Sequence, residues 1–557
     1  MKAEALRSAS SWRRRKVGPA HRATTIRHVL DLWISNATVV DGTGGPSYQA
    51  SVGVDDGRVA LIARGPPELG EPVESASTIR ARGLVLAPGF IDVHNHSDMA
   101  PFVVPSMPST IRQGVTTVVV GNCGASPFPA SSATELASWV GDDHELPGDG
   151  LHFDSFGEFL ARVDAARPAT HVAALIGHGS VRELTMALDR RAPTAAELAE
   201  MRQRVTEAMD AGALGLSTGL IYAPGIYSET DEIVTLAEEA ARAGGIYASH
   251  IRGEGAHLFR AMDEAIEIGR RAALPVHVSH LKCETSFTWG RAHELLARVH
   301  GADATGDQYP YAAWASVLWS LLPAWAPVAE LARLLEDRGT RARLIASVER
   351  GEGAAFQSSV DGVGWDRIVI ETTADETCDG LSIAEIAAAR ELEPVDAFFE
   401  LLVEAPSTSC IGHAMHDDDV RAIMADSDVM VASDAASMAP GGPMGHVPVH
   451  PRTYGTFPRV LGPAVREGVL TLETAVRKMT SLAADRFGLT GRGHIVEGAW
   501  ADLVVFDPAS VTDRATFERP HAFSDGIEAV IVEGTVAWRR GSDSIMQAGS
   551  VLRRGDG

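Results

Sequence analysis

Residues 83–96 read GLVLAPGFIDVHNH and set a pattern that the middle of the chain repeats. A mostly apolar run ends in polar residues, which is typical of a strand that is buried on both faces. Similar runs follow at residues 114–124, 171–180, 212–220, 244–252, 274–282, 303–313 and 428–436. The chain therefore contains eight candidate core strands.

Helical segments separate most of these runs. In residues 194–211 and 257–273, for example, apolar residues recur every three or four positions. Buried strands that alternate with helices predict βα units and a parallel sheet. Eight such strands predict an α/β fold, a (β/α)8 TIM barrel with insertions. An open, doubly wound sheet is the alternative, although no G-x-G-x-x-G motif follows the first strand.

Both ends of the chain are rich in short β-like runs. Residues 31–87 and 486–557 contain such runs, separated by turn dipeptides such as Asp56-Gly57. Because chain termini often lie close together, the two ends predict one small β-sandwich domain. The barrel is then expected over residues 88–485.

Two segments depart from this plan. Residues 1–30 carry a basic run at 13–16 without the apolar stretch of a secretory signal, which predicts a disordered basic extension. Residues 312–373 are rich in Trp and Ala and show no clear strand pattern. They predict an insertion after the seventh strand, and long barrel insertions are often lids.

Composition excludes several classes of protein. Hydrophobic residues make up 45% and charged residues 22%, as in ordinary globular proteins, and no run is apolar enough to cross a membrane. The formal net charge of −24 repels phosphate backbones and anionic lipid, so neither nucleic acid nor a membrane is an expected partner. The four cysteines lack a paired spacing, which favours a reducing cytoplasm over a disulfide framework.

The first barrel strand ends in two histidines, His94 and His96. On a strand, residues two apart point to the same face, so both imidazoles could bind one metal ion. The active sites of barrel enzymes lie at the carboxyl ends of the strands, which is where this pair falls.

Further metal-ligating side chains end the strands that follow. Cys123, His250, His280 and Asp434 each stand at or near the end of a predicted strand. Because the carboxyl ends of barrel strands share one rim, these side chains are expected to converge. Imidazole with thiolate favours zinc, although iron also fits, and the set could hold one or two ions.

The remaining polar residues of these strands can be assigned from their positions. A carboxylate beside a metal can shuttle a proton, so Asp434 is the candidate general base, with a structural metal contact as the alternative. Lys282 is expected to share the inward face with His280, whereas His277 should face the surrounding helices. His178 ends the third strand, where a functional and a structural role remain equally open.

Several motifs resemble a known family. GFIDVHNHSD and GAWADLVVFDP are similar to motifs of the amidohydrolase superfamily. GNCGASP, LGLSTGLIYAPGIYS, SHIRGE, VSHLK, YPY and HPRTYGTFPRVLG narrow the resemblance to the D-aminoacylase (N-acyl-D-amino-acid deacylase) family. The resemblance extends over residues 31–507.

The resemblance implies a zinc site. Cys123, His250 and His280 resemble the ligands of a tight zinc ion, and the Cys123 thiolate could bridge to a second one. His94 and His96 resemble the ligands of that second, weaker position. Cys123 then takes the place that a carbamylated lysine holds in hydantoinase-type relatives.

The resemblance also implies how substrate is bound. Asp434 resembles the family's general base and acid, and Tyr222 resembles a residue that steadies the scissile carbonyl. A clamp on the substrate's α-carboxylate is implied for Arg452, Lys282 and one of Tyr309 and Tyr311. A planar guanidinium suits that role, because it can hold a carboxylate through two hydrogen bonds.

Three functions are compatible with these residues. The first is zinc-dependent hydrolysis of the amide of a small molecule, an N-acyl-D-amino acid, by metal-activated water. The second is another amidohydrolase reaction, on a D-residue dipeptide, a cyclic imide or a hydantoin. Cys123 in place of a bridging lysine argues against the cyclic substrates. The third is a non-catalytic scaffold, which would be expected to have lost metal ligands that this chain retains.

Overall fold

A computed structural model describes residues 29–65, 74–128, 153–351, 359–441, 445 and 447–556. The predicted basic extension lies almost wholly outside the described residues. No helix among the described residues is both long and apolar enough to cross a membrane.

Strands and helices alternate through the middle of the chain. The strands are β1 (Leu30–Val39), β2 (Tyr48–Asp55), β3 (Arg58–Arg64), β4 (Ser75–Arg80), β5 (Val85–Pro88), β6 (Phe90–Asp92), β7 (Val115–Val120), β8 (His171–Ala174), β9 (Ile176–Gly177), β10 (Gly215–Gly219), β11 (Ile246–His250), β12 (Val276–Val278), β13 (Ala304–Gln308), β14 (Trp314–Val317), β15 (Ile368–Thr372), β16 (Ser409–Gly412), β17 (Val429–Val431), β18 (Leu503–Phe506), β19 (Ile527–Val532) and β20 (Thr535–Arg539). The α-helices span Ala100–Val103, Pro108–Ile111, Phe156–Ala166, His178–Met186, Ala195–Asp210, Thr230–Arg242, Leu258–Ala272, Ala292–His300, Leu331–Glu336, Arg338–Arg350, Ser359–Val363, Ile383–Arg390, Pro394–Glu404, Asp417–Ala425, Arg452–Arg459, Leu472–Met479 and Ser481–Phe487.

The parallel strands close into a barrel. β6, β7 and β8 pair in that order, and β9, β10, β11, β12, β13 and β17 form a second run. Leu175 alone separates β8 from β9, and its amide donates to Val120 O at 2.9 Å. At the other seam, Asn95 pairs with Ala435 in a parallel bridge, and the amide of His96 donates to Ala435 O at 3.0 Å. The barrel prediction is therefore confirmed, and the open-sheet alternative is wrong.

The barrel closes because its strands are apolar on both faces. On β11, Ile246 and Ala248 join the cluster inside the barrel, whereas Tyr247 joins the layer between strands and helices. The helix Leu258–Ala272 packs onto that layer with residues three or four apart, including Ala261 and Ala265. All eight predicted strand runs contain a barrel strand.

The small β-domain uses both ends of the chain, as predicted. β18 pairs antiparallel with β5, with Leu503 opposite Pro88 and Phe506 opposite Val85. The sheet order is β20-β19-β18-β5-β1-β2-β3, and β4 also pairs with β1. Hydrogen bonds thus join all eight strands into one sheet, because β1 pairs with β2 and, along its length, with both β4 and β5.

An insertion with its own core lies between β13 and β17. Its β14, β16 and β15 form an antiparallel sheet with β16 in the centre. Leu344, Ile370 and Phe398 belong to a hydrophobic cluster separate from that of the barrel. The expectation of no strand within residues 312–373 was wrong, because β14 and β15 are short and their common partner β16 lies further along the chain.

Candidate metal centre and active site

The predicted ligands meet at the carboxyl ends of the barrel strands. Three of them stand where the chain leaves a strand in a left-handed turn, with φ of +52° at Cys123, +37° at His280 and +51° at Asp434. Positive φ is uncommon outside glycine, and such strained positions cluster at functional sites. The turns aim all three side chains into one cavity.

Three imidazole nitrogens surround the Cys123 thiol. Cys123 Sγ lies 3.3 Å from His94 Nε2, 3.6 Å from His250 Nδ1 and 3.7 Å from His280 Nε2. His280 Nε2 and His250 Nδ1 are 2.8 Å apart. A tetrahedron of ligands at about 2.0–2.3 Å from a zinc ion has edges of about 3.3–3.7 Å. The three distances from the sulfur lie in this range, whereas the two nitrogens at 2.8 Å would have to move apart by about 0.5 Å to bind the same zinc ion.

The charge state of the thiol also suits a metal. Burial opposes ionisation of Cys123, but His94, His250 and His280 hold the pKa of its thiol well below the usual range. The thiolate is the form that binds metal ions. Imidazole with thiolate is a donor set typical of zinc.

A second group of donors adjoins the first. His96 Nε2 lies 3.1 Å and His94 Nε2 lies 3.4 Å from Asp434 Oδ1. His94 thus stands between the Cys123 group and the Asp434 group, and both groups have the composition of a metal site. β6 ends at Asp92, so the two histidines follow the strand rather than occupy it, yet their ring centroids are only 5.3 Å apart.

Asp434 is ion-paired with a buried arginine. Arg452 Nη1 donates to Asp434 Oδ2 at 2.8 Å, and both side chains are at least nine-tenths buried. Burial opposes ionisation of Asp434, but Arg452 and the neighbouring histidines hold its pKa well below the usual range. Asp434 is therefore ionised and can accept a proton at neutral pH.

The two tyrosines of the YPY motif, Tyr309 and Tyr311, have different surroundings. Tyr309 lines the cavity with the Arg452 guanidinium 4.8 Å from its ring, and its hydroxyl finds no hydrogen-bond partner among the described residues. Tyr311 does not line the cavity: its hydroxyl reaches Pro451 O at 3.5 Å and its ring lies under Arg459. Tyr309 is thus the one that can meet a substrate.

Lys282 has a partner that sequence reasoning missed. Its Nζ donates to Glu254 Oε1 at 2.7 Å and lies 2.7 Å from His280 Nδ1. Glu254 Oε1 is also 3.0 Å from His280 Nδ1, and Glu254 Oε2 is 3.7 Å from His250 Nε2. The carboxylate thus supports two candidate ligands and neutralises Lys282, and its only sequence signal was its place in the SHIRGE motif.

His277 points into the barrel, and the prediction that it faces the helices was wrong. Its Nε2 lies 2.8 Å from Asp307 Oδ2, beside Phe487 of the interior cluster. The prediction assumes that side chains keep alternating between the two faces as far as His280. β12 ends at Val278, however, and the chain turns before His280. Asp307, a second missed residue, connects His277 to the candidate ligands above it.

The remaining candidates occupy the cavity wall or the layer behind it. The Tyr222 hydroxyl is 3.1 Å from Ser316 Oγ, and its ring lies 5.0 Å from the His250 ring. Burial, together with the Cys123 charge, raises the pKa of Tyr222 well above its usual value, so it stays protonated. His178 Nε2 lies 2.9 Å from Glu232 Oε1, fully buried and outside the cavity lining.

Comparison with known proteins defines the class. The amidohydrolase family model matches residues 77–537, so the chain belongs to the amidohydrolase family. The resemblance to its D-aminoacylase branch is also confirmed. A D-aminoacylase of Alcaligenes xylosoxydans xylosoxydans is 36% identical over 94% of this chain and 98% of its own length. An N-acyl-D-glutamate deacylase of the same organism is 37% identical over 94% and 97%.

A solved structure supports the same placement. The N-acyl-D-glutamate deacylase of Bordetella bronchiseptica superposes with a TM-score of 0.77 at 35% identity, covering 94% of this chain and 100% of that one. It was solved with zinc and a phosphonate inhibitor that mimics the tetrahedral intermediate of its reaction.

Proposed function

We propose that this protein is a zinc-dependent deacylase that hydrolyses the amide bond of N-acyl-D-amino acids. The products are a carboxylate and the free D-amino acid. The observation that carries the proposal is the arrangement of one thiolate, four imidazoles and the Asp434–Arg452 pair around one cavity.

The metal ligands follow from the donor groups. Cys123, His250 and His280, whose donor atoms lie 2.8–3.7 Å from one another, would hold the tight zinc ion. His94 and His96, which form a donor group with Asp434, would complete a second position. A zinc ion held there supplies Lewis acidity and lowers the pKa of bound water. Cys123 Sγ lies 3.3 Å from His94 Nε2 and 3.7 Å from His280 Nε2, so its thiolate could contribute to both positions.

Asp434 moves the proton. Its ionised carboxylate accepts a proton from the attacking water and returns it to the nitrogen of the departing amino acid. Oδ1 faces His94 and His96, while Oδ2 is held by Arg452, which fixes the direction in which the carboxylate points.

The substrate is held at both ends of its reacting amide. Arg452, Lys282 and the unpaired hydroxyl of Tyr309 line one part of the cavity and suit the α-carboxylate. Tyr222, held by Ser316, donates a hydrogen bond to the scissile carbonyl oxygen as its negative charge develops.

The same features weigh against the alternatives. A cyclic imide or hydantoin has no α-carboxylate for Arg452 and Tyr309 to bind. A D-residue dipeptide retains that group and stays the stronger alternative. A scaffold without catalysis would have no need for the buried charges kept around Cys123 and Asp434.

The insertion supplies part of the cavity wall, which supports its proposed role as a cover. Trp314 and Ser316 line the cavity, and Arg190 of the barrel donates to Trp325 O and Glu330 at 2.9 and 2.8 Å. A cover predicts slower amide hydrogen exchange in residues 314–330 when N-acetyl-D-methionine is bound. Unchanged exchange there would contradict it.

One assay tests the proposed function. N-acetyl-D-methionine and N-acetyl-L-methionine are given to metal-quantified wild type and Asp434→Ala. Release of D-methionine by wild type alone, with at least one zinc ion per chain, is the expected result. Zinc-loaded protein inactive on both enantiomers would overturn the deacylase proposal and leave dipeptides as the next substrates. Protein that purifies without zinc and gains none on dialysis would also overturn the metal site.

A further inference from the structure

We infer that the site takes an N-acyl-D-amino acid with an apolar side chain and rejects an acidic one. This inference rests on the proposed function and names the substrate class within it. It depends on the cavity wall that remains once the α-carboxylate has been bound.

That wall is apolar and comes mainly from the insertion. Its apolar lining residues are Ile221, Trp314, Val317, Trp319 and Leu321. The ring centroid of Trp319 lies 6.1 Å from that of Tyr222, which contacts the scissile group in the proposed mechanism. An apolar side chain on the Cα next to the reacting amide nitrogen can therefore pack against Trp319.

The cations of the cavity already have anionic partners. Among the described residues, Arg252, Lys282 and Arg452 are the only lysine or arginine side chains that line it. Lys282 faces Glu254 and Arg452 faces Asp434. The proposed function assigns both cations to the α-carboxylate.

Arg252 cannot serve a second carboxylate without losing its own contacts. Its Nε donates to Glu264 Oε2 at 2.9 Å, its Nη1 to Ile226 O at 3.2 Å and its Nη2 to Ser228 O at 3.1 Å. Arg252 thus ties helix Leu258–Ala272 to the loop that follows Tyr222.

The cavity also carries negative charge of its own. Glu183 and Glu284 line it together with Glu254. A substrate with a second carboxylate would bring another negative charge into this buried site without a free cation to pair with it. Burying an unpaired charge is strongly unfavourable.

The test compares substrates that differ in one group. We expect kcat/KM for N-acetyl-D-leucine to exceed that for N-acetyl-D-glutamate by at least about 100-fold. N-acetyl-D-glutamine, which is close in shape to the glutamate substrate but neutral, should fall between them. Equal or faster hydrolysis of the glutamate or aspartate substrate would overturn the inference.

Binding separates this inference from the proposed function. If zinc-loaded protein hydrolyses none of these compounds, calorimetry with N-acetyl-D-leucine and N-acetyl-D-glutamate still reports on the cavity. Tighter binding of the leucine compound supports the apolar site while the deacylase proposal fails. Tighter binding of the glutamate compound overturns the apolar site.

A pair of variants locates the selectivity. Trp319→Ala should lower kcat/KM for N-acetyl-D-leucine about 10-fold and affect N-acetyl-D-alanine less, because the smaller side chain does not reach the ring. Trp325→Ala is the matched control: Trp325 also lies half-buried in the insertion but does not line the cavity. Equal effects of the two variants on selectivity would contradict the role of Trp319.

A separate observation carries a second inference: we propose that Asp307 and His277 position two of the metal ligands. Asp307 Oδ1 accepts the amide hydrogen of His280 at 3.0 Å. Asp307 Oδ2 lies 2.8 Å from His277 Nε2 and 3.5 Å from His94 Nδ1. One buried carboxylate thus contacts both the backbone of one ligand and the ring of another.

The contacts also define which ring nitrogen carries a hydrogen. An ionised carboxylate only accepts, so His277 Nε2 donates to Asp307 Oδ2 at 2.8 Å. The negative charge of the same oxygen, 3.5 Å from His94 Nδ1, favours a proton on Nδ1 over one on Nε2. His277 Nδ1 is 2.9 Å from Thr305 Oγ1, which can donate to it. His94 Nε2 then keeps its lone pair for the site, 3.3 Å from Cys123 Sγ.

Zinc affinity, measured by equilibrium competition with a chelator, tests this without relying on activity. Asp307→Asn should weaken zinc binding about 10- to 100-fold, and so should His277→Phe. His277→Gln, which keeps a donor for Asp307, should restore most of the affinity.

Asp502→Asn is the control for a merely structural effect. Asp502 is buried, as Asp307 is, and lies 3.2 Å from His171 Nε2, away from the candidate ligands. Loss of stability without loss of zinc affinity is expected for this variant. The same behaviour in Asp307→Asn would overturn the positioning role.

Discussion

Two buried aspartates, one at the carboxyl end of a barrel strand and one in the small β-domain, each pair with an arginine and with histidine. Asp434, after β17, pairs with Arg452 and faces His94 and His96. Asp502, just before β18, pairs with Arg492 and His171. In both cases burial opposes ionisation, and the neighbouring cation and histidines hold the pKa of the carboxyl below its usual value.

The difference lies in what else each carboxylate meets. Asp502 Oδ1 also accepts the amide hydrogen of Glu533 at 2.8 Å, and His171 stands at the start of β8, at the end of the barrel away from the site. Asp434 lines an open cavity beside a thiolate and imidazoles. The same ion-pair chemistry therefore serves packing in one place and, in the proposed mechanism, catalysis in the other, and the two differ in their access to a substrate.

The largest effect on activity is expected when the charge of Asp434 is removed. Asp434→Asn should lower kcat about 1,000-fold, because the amide cannot accept the proton of the attacking water. Zinc content of the folded protein should stay close to that of wild type, whereas the melting temperature should fall, because Arg452 loses its buried anionic partner. Steady-state kinetics with metal analysis measures both, and activity retained within 10-fold would contradict the assignment of the general base.

Neutralising Asp502 should have the opposite effect. Asp502→Asn leaves Arg492 buried without its anion, so the free energy of unfolding should fall by about 3 kcal/mol. Urea unfolding monitored by circular dichroism gives this value. kcat/KM of the remaining folded protein should be unchanged, and a loss of activity larger than the loss of folded protein would show that the two ends of the barrel are coupled.

Replacing the arginine partner of each aspartate tests the same difference with a smaller expected effect. Arg452→Lys keeps the charge but loses the planar fork, so KM for an N-acyl-D-amino acid should rise roughly 10- to 100-fold while kcat falls less. Arg492→Lys should change stability and leave KM as it is. If Arg452→Lys lowers kcat by a larger factor than it raises KM, the arginine acts mainly on Asp434 and not on the substrate.

The pH dependence of stability is the mildest test. Because the folded-state pKa of Asp502 lies below its unfolded value of about 3.9, its contribution to stability is present above that pH and is lost as the pH falls further. The difference in unfolding free energy between wild type and Asp502→Asn should therefore be constant near neutral pH and shrink below about pH 4. A difference that persists unchanged to pH 2 would contradict the shift.

The sequence was sufficient for the plan of the barrel. Apolar runs alternating with amphipathic helices predicted all eight strand positions, because a strand buried on both faces must be apolar throughout. The ligand candidates were found for the same reason: Cys123, His250 and His280 interrupt apolar runs where a buried strand ends.

The predictions that were wrong or missing concern contacts between segments that are far apart in the sequence. The face of His277 was assigned wrongly because strand alternation does not continue through the turn before His280. Asp307 and Glu254 were overlooked because one acidic residue near a strand end carries no pattern, and its partners are settled only by folding. The strands of the insertion were missed for a similar reason, since β14 and β15 pair through β16.

The seam of the barrel has a consequence for how activity arises during protein synthesis. The amide of Asp434 donates to His94 O at 2.9 Å, so the last strand closes directly onto the first ligands. His96 and Asp434 are 338 positions apart in the chain. A ribosome must therefore complete nearly the entire barrel before both halves of the site exist. A prematurely terminated chain would carry histidines and a thiol without the carboxylate to which proton transfer is assigned in the proposed mechanism. We therefore expect the chain to hydrolyse substrate only after the last barrel strand has paired with the first.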